Sequence, residues 1–251
     1  MYNAPKTPQN MRALQASHTE PLPTYQPSLA VFHPRTATGF AEDNEIDSHA
    51  VIAAGNVIRA SGEDWKRLVF ARENRSLELT QYSHLKSVKN QYDKTLEKRA
   101  KDFSKVEEKL AAELEEIERE KRNLFFEDAR YASEVRRHAS TLSDSGRMEL
   151  IDTLLAGKDV QSLAAILNSP PFLSGLDAKG HAWLKSKATE TLAPGLLARE
   201  KALLKAKEGI KTVFTTMMDE GHALHGGSVW DKLHAQETEI RRLEKEIYEG
   251  R

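Results

Sequence analysis

The sequence predicts a mainly α-helical, elongated protein in which one long helix with a partial coiled-coil seam joins a small helical region and an extended N-terminal arm. Charged residues make up 30% of the 251 residues and aromatic residues only 7%, which leaves less core than this length allows. From Glu63 to Ser145 the chain contains neither glycine nor proline, a run of 83 residues. Large apolar residues recur at every seventh place within that run, a spacing typical of coiled-coil helices.

The first segment, residues 1–60, is predicted to be an extended, proline-rich arm. Six of the nine prolines lie in the first 34 residues, and this density prevents a continuous helix or a central strand. Apolar side chains punctuate the segment, which is typical of an arm that lies along a partner. The predicted partner-binding residues of the arm are Tyr25, Val31, Phe32 and Phe40. A linker with incidental apolar residues is the alternative interpretation.

Residues 50–80 fit two structures. The stretch "HAVIAAGNVIRASG" reads either as a short β-hairpin with Gly55-Asn56 at its turn or as a short helix. The stretch "WKRLVFARENRSLELTQ" reads either as two strands around Glu73-Asn74 or as the start of the following helix. Periodicity over so few residues does not separate a hairpin from a helix, and both interpretations stay open.

The long helix is predicted over residues 61–142. Its apolar line consists of Leu96, Phe103, Leu110, Ile117, Leu124 and Tyr131. A two-stranded coiled coil normally has a second apolar line, but here the matching positions, such as Arg99 and Glu113, are mostly charged. This half seam needs a partner along one edge, and the predicted partner-binding residues are Leu96, Phe103, Leu110 and Ile117. An antiparallel helical hairpin within one monomer is the alternative.

Shorter elements follow in a small helical region, residues 143–193, and in a C-terminal two-helix segment, residues 194–251. Gly157 is predicted to end one helix in the left-handed conformation, and Asp159 to cap the next. Asp177 is predicted to cap a third helix. In the last segment Pro194 begins a helix that Gly226-Gly227 ends, and a final helix follows.

The composition bounds the chemistry of the protein. A net charge of -1 and a pI near 6.8 give no global attraction to nucleic acid or to an anionic membrane. The absence of cysteine excludes disulfides, thiolate nucleophiles and cysteine-based metal sites. No signal peptide and no apolar run long enough for a membrane span are apparent, so a protein made in the cytoplasm is expected. We predict no catalytic, cofactor-binding or metal-binding residues, and hence a non-enzymatic protein.

Two rival functions rest on local clusters. A nucleic-acid-binding module would use the basic face of the helix over residues 196–218, whose cations are Arg199, Lys201, Lys205, Lys207 and Lys211. A metal-binding protein would use Asp219, His222 and His225, which follow one another in steps of three. No aromatic residue interleaves the basic positions, and steps of three rotate away from a single helix face, so a solvated face and a polar helix end are favoured instead.

The segment "LAAILNSPPFLSGLDAKGHAWLKSKA", residues 163–188, resembles a segment met in small proteins encoded among the structural genes of tailed bacteriophages and prophages. Within it, Pro170-Pro171 is predicted to form a rigid elbow, with Phe172, Leu173 and Leu176 filling the gap between short helices. The resemblance brings no catalytic motif. It implies a virion component, made in the host cytoplasm and located in the virion.

The partners expected on this basis are further copies of the chain, in a homo-oligomer, and other virion structural proteins. The chain would bind a larger protein shell or tube through its arm and its long helix. A temporary scaffolding protein is the close alternative, and nucleic acid is a secondary partner.

Overall fold

The computed structural model describes residues 21–76, 78–125 and 129–249. The regular secondary structure of these ranges is helical and they contain no strand, which confirms the mainly α fold class. Among the helices so described, none combines the length and the apolar character needed to cross a bilayer.

The described ranges contain the following α-helices: α1 Arg35–Asp43, α2 His49–Glu73, α3 Gln81–Leu124, α4 Ala129–Thr141, α5 Asp144–Ala156, α6 Val160–Leu167, α7 Ala178–Leu192, α8 Pro194–Leu224 and α9 Ser228–Glu249. Two short 3-10 helices accompany them, Leu29–Phe32 and Pro171–Ser174.

The β-hairpin interpretation of residues 50–80 is wrong. Gly55-Asn56, the expected turn, lies inside α2. The hydroxyl of Ser48 accepts a hydrogen bond from the Val51 amide at 3.2 Å and so caps the start of this helix. Ala54, Ile58 and Trp65 recur at helical spacing along one face, and each is 0% exposed. Burial of this face outweighs the local turn preference of the Gly-Asn pair.

The predicted long helix is confirmed over Gln81–Leu124, but its predicted bounds of 61–142 are wrong, because the chain leaves the helical conformation between Glu73 and Gln81 and again after Leu124. At the first break, the Asn74 side chain donates to the carbonyl of Phe70 at 2.8 Å. The Thr80 hydroxyl accepts from the Ser83 amide at 3.1 Å and caps the new helix, α3. Helix α3 spans 44 residues and ends at Leu124. Polar side chains that bind the backbone locally therefore end and restart helices without any glycine or proline.

The chain divides into two compact units, each assembled from stretches that are distant in sequence. Unit one comprises the described residues of Met1–Ala37, Ala53–Lys105 and Glu208–Arg251. Unit two comprises Thr38–Ile52 and Val106–Lys207. The four consecutive segments predicted above follow the chain instead, because sequence patterns do not report which distant helices pack together.

Aromatic rings dominate the core of unit one. Phe32 stacks on Trp65 with ring centroids 5.5 Å apart, and Trp65 meets Tyr92 edge to face at 6.1 Å. A second apolar cluster joins α3 to α9 through the buried residues Leu85, Val229, Trp230 and Leu233. Such offset and edge-to-face ring pairs add to the stability that burial of their apolar area provides.

Unit two contains a core of aliphatic side chains from α4 to α7. Its buried members include Ile151, Leu155, Leu163, Ile166 and Leu184. Asp159 accepts from the Ser162 amide at 3.1 Å and Asp177 from the Gly180 amide at 2.6 Å, which confirms both predicted caps. Gly157 ends α5 with φ -78, and the left-handed conformation falls to Lys158 at φ 51, so the predicted left-handed glycine is wrong.

Candidate functional site

The predicted arm anchor Tyr25 binds its own chain. Its hydroxyl donates to Glu220 Oε2 at 2.6 Å and accepts from Trp65 Nε1 at 3.1 Å. The Arg72 guanidinium lies 5.4 Å from the ring centroid of Tyr25 and donates to the carbonyl of Pro23. Burial and the hydrogen bond to Glu220 raise the pKa of the Tyr25 phenol well above 10.0, so the hydroxyl remains a donor. This part of the arm therefore belongs to unit one and is held there by hydrogen bonds to its own chain.

The other arm anchors are also covered from within the chain. Phe32 is 5% exposed beneath Trp65, and Val31 is half-buried. Phe40, which belongs to unit two, is half-buried with the Lys201 ammonium 4.7 Å from its ring centroid. In this fold the chain's own residues therefore contact these side chains, and their role in binding a partner stays a prediction.

The seam of α3 is buried as well. Phe103, Leu110 and Ile117 are 5%, 0% and 0% exposed, and Leu96 is half-buried. Phe103 meets Phe214 of α8 with ring centroids 5.4 Å apart. The same chain shields these three residues from water, and their role in binding another molecule stays a prediction.

Charged residues that interrupt the seam hold neighbouring helices in place. In unit one, Arg99 is 8% exposed and donates to Asp64 at 2.6 and 2.9 Å and to Asp102 at 3.0 Å. In unit two, Glu113 accepts from the Ser48 hydroxyl at 2.8 Å and from the Ala50 amide at 2.9 Å. The Glu113 carboxylate thus complements the positive N-terminal end of α2.

The basic face of α8 is partly neutralised. The Arg199 guanidinium lies 3.5 to 3.7 Å from carboxylate oxygens of Glu113, Glu116 and Glu120. Lys207 and Lys211 are exposed. A nucleic-acid role stays a prediction, with fewer available cations than the sequence alone indicates.

The acidic and histidine cluster at the end of α8 takes structural roles. Glu220 binds Tyr25, and His222 Nε2 lies 3.0 Å from the Asp231 carboxylate. His225 is 7% exposed and contacts the rings of Tyr92 and Trp230. Across the part of the chain that the structure describes, no three histidine, aspartate or glutamate side chains form a group that could hold a metal ion.

Two consecutive large apolar residues remain at the surface of unit two. Phe172 is 73% exposed and Leu173 is 44% exposed. We call them the 172–173 pair. They had been expected to fill the gap between short helices, which is wrong. Leu176 alone among the three residues packs against the core of unit two.

The turn that carries the 172–173 pair is fixed by its backbone. Pro170 and Pro171 begin it, and the amide of Leu176 donates to the carbonyl of Pro171 at 3.0 Å. Gly175 adopts φ 70, and its amide donates to the carbonyl of Phe172 at 3.1 Å. Ser174, between these groups, is 0% exposed. The predicted rigid elbow is therefore present, with its two large side chains directed to solvent.

Arg147 ties this turn to the end of α4. Its guanidinium donates to the carbonyls of Ala139 at 3.1 Å and Leu142 at 2.9 Å. A Cβ at Gly175 would lie 2.5 Å from Arg147 Nη2, so the guanidinium packs directly against the glycine. The sequence signal for this contact was the Pro-Pro-x-x-x-Gly spacing, which predicts a turn but not the arginine behind it.

No protein-family model, no curated protein and no solved structure matches the chain.

Proposed function

We propose that this chain is a non-enzymatic structural or assembly protein that binds a larger protein assembly, and that its setting is a tailed-bacteriophage particle. The observation that carries the proposal is the exposure of the 172–173 pair on a locked turn. The same turn lies inside residues 163–188, the segment that resembles proteins of phage structural gene clusters.

Burial of the 172–173 pair would stabilise a contact with a partner protein. Covering a phenylalanine or leucine side chain contributes about 1.5 to 3 kcal/mol, and a flexible loop would gain part of this by folding inward. The prolines, Gly175 at φ 70 and the Arg147 contact keep this turn from doing so. Phe172 and Leu173 can then be buried only by binding a partner protein.

The contact assigned here differs from the one expected from the sequence. The arm and the long helix were expected to bind a shell or tube, but their apolar side chains pack within the chain. We therefore assign the contact with the assembly to the 172–173 pair. A scaffolding protein would use the same pair but leave before the particle is complete.

The test measures incorporation into particles. Phage particles are produced with the wild-type chain, with a Phe172→Asp/Leu173→Asp variant, or with an Ala182→Asp/Ser186→Asp control, and the chain is quantified by mass spectrometry after gradient purification. Ala182 and Ser186 are exposed on α7, so the control adds the same charge without removing large apolar area. We expect the wild type and the control in the particles, and the 172–173 variant at less than about a tenth of that amount.

Each other outcome has a defined meaning. Incorporation of the 172–173 variant at the wild-type level would show that the pair is not part of the contact with the assembly. Presence in assembly intermediates but not in finished particles would indicate the scaffolding role. Absence of the wild-type chain from both would contradict the phage setting.

A further inference from the structure

The last helix carries an apolar line that starts in the core of unit one. Val229 and Leu233, at 4% and 6% exposure, pack with Leu85 and Trp230. The line continues at heptad spacing through Ile240, Leu243 and Ile247. One face of α9 is therefore apolar from its buried beginning to its end, except at Gln236.

The second part of this line becomes progressively more exposed in the described part of the chain. Ile240 is half-buried, Leu243 is 41% exposed and Ile247 is 62% exposed. Every residue from 241 to 249 is exposed. We call Ile240, Leu243 and Ile247 the α9 stripe.

The residues that flank the α9 stripe all carry the same charge. In heptad terms the flanking e and g positions are Glu237, Glu239, Glu244 and Glu246. Hydrogen bonds from Arg241 and Arg242 along the helix reach three of these glutamates at 2.7 to 3.0 Å. The contact with Arg242 lowers the pKa of Glu239, which stays ionised at neutral pH.

This charge pattern argues against a second copy as the occupant. In a parallel pair of helices the g position of one faces the e position of the other, and in an antiparallel pair like positions face each other. Both arrangements would place glutamate against glutamate along the α9 stripe. Repulsion between like charges disfavours self-association, whereas lysine or arginine at the facing positions would be attracted.

We infer that the α9 stripe docks an amphipathic helix of a different protein, whose apolar stripe is flanked by lysine or arginine. The inference rests on the protein-binding role proposed above and names the chemistry of one partner, through residues other than the 172–173 pair. The docked helix would extend the packing that Val229 and Leu233 begin, with the glutamates selecting among apolar helices by charge.

The test uses two designed helical peptides with the same leucine and isoleucine stripe, one with lysine and one with glutamate at the flanking positions. Fluorescence anisotropy measures the binding of each labelled peptide to the full chain. We expect the lysine-flanked peptide to bind at least about tenfold more tightly, because its flanks complement the glutamates. This advantage should shrink as the salt concentration rises, since exposed charges are screened.

Three variants locate the contact. Leu243→Asp/Ile247→Asp should abolish binding of the lysine-flanked peptide. Tyr248→Asp is the matched control, because Tyr248 is 81% exposed beside Ile247 but lies off the α9 stripe, and binding should persist. Glu239→Lys/Glu244→Lys/Glu246→Lys should reverse the preference in favour of the glutamate-flanked peptide. Circular dichroism of each variant verifies that the helices are retained.

The inference is overturned if the two peptides bind equally, if neither binds, or if Leu243→Asp/Ile247→Asp binds like the wild type. It is also overturned if sedimentation equilibrium reveals a dimer that Ile247→Asp dissociates, because a second copy is then the occupant. Incorporation into particles is a separate measurement. Loss of peptide selectivity with normal incorporation would contradict the docked helix alone, and normal selectivity without incorporation would contradict the phage setting alone.

Discussion

Two apolar lines in this protein repeat every seven residues, and they have opposite surroundings. In α3 the line through Phe103, Leu110 and Ile117 is buried by the chain itself. In α9 the line that reaches Leu243 and Ile247 is exposed. Heptad spacing therefore predicts a helix face suited to packing, but does not identify the chain that will cover it.

The charges beside each line distinguish the two cases. In α3, Arg99 donates hydrogen bonds to Asp64 within the same unit, and Glu113 accepts a hydrogen bond from the start of α2. In α9 the flanking residues are all glutamates, and the hydrogen bonds to three of them come from Arg241 and Arg242 of α9 itself. Charges that interrupt an apolar line and bind partners on a different helix of the same chain are typical of an intramolecular face. A border of one sign is suited to a partner of the opposite sign.

The largest expected effect comes from placing a charge in each line. Leu110→Asp would bury a carboxylate at a site of 0% exposure, and we expect it to lower the free energy of unfolding by more than about 4 kcal/mol. Leu243→Asp, on the exposed line, should change this free energy by less than about 0.5 kcal/mol. Urea unfolding followed by far-UV circular dichroism measures both. Equal stability of the two variants would contradict the conclusion that the α3 line is buried and the α9 line is exposed.

A second effect tests whether the charges within the α3 line hold the fold together. Asp64→Ala leaves the Arg99 guanidinium buried without its closest partner, and we expect a loss of about 2 to 4 kcal/mol in the free energy of unfolding. Asp93→Ala is the matched control, because it breaks an exposed pair with Lys89 on the same helix and should cost less than about 0.5 kcal/mol. If Asp64→Ala lowered the free energy of unfolding by no more than the control does, the buried Arg99 pair would not stabilise the fold.

The smallest effect concerns the packed beginning of α9, where His225 contacts Trp230. Burial, with the charges of Lys89 and His222, lowers the pKa of His225 below 6.5. Between pH 6.5 and the lowered pKa, His225 therefore binds a proton in the unfolded chain but not in the folded chain. The contribution of His225 to the free energy of unfolding is fully present above pH 6.5 and is lost as the pH drops toward the lowered pKa. The slope should not exceed about 1.4 kcal/mol per pH unit.

The measurement compares urea unfolding of the wild type and of His225→Leu at about pH 7.5 and about pH 5.5. The variant should lose less stability than the wild type between the two conditions. If both lose the same amount, His225 is not a source of the acid sensitivity.

Much of the secondary structure was predictable because its causes are local. Asp159 and Asp177 cap helices within three residues of themselves, and Pro194 begins α8 where the sequence predicts. The break after Glu73 was missed because Asn74 and Thr80 act through backbone contacts that compete weakly with a helix. The exposed 172–173 pair was also missed, since apolar residues beside two prolines are expected to fill a core.

The sequence by itself determined the helical class, most caps and the presence of heptad faces, because these depend on residues within about one or two turns of each other. The segment that packs against each heptad face became known from the tertiary structure alone. Tyr25 and Glu220 are 195 residues apart, and no local pattern connects them. An apolar stripe is stabilised equally by its own chain and by another, so the choice between them belongs to the packing of distant segments.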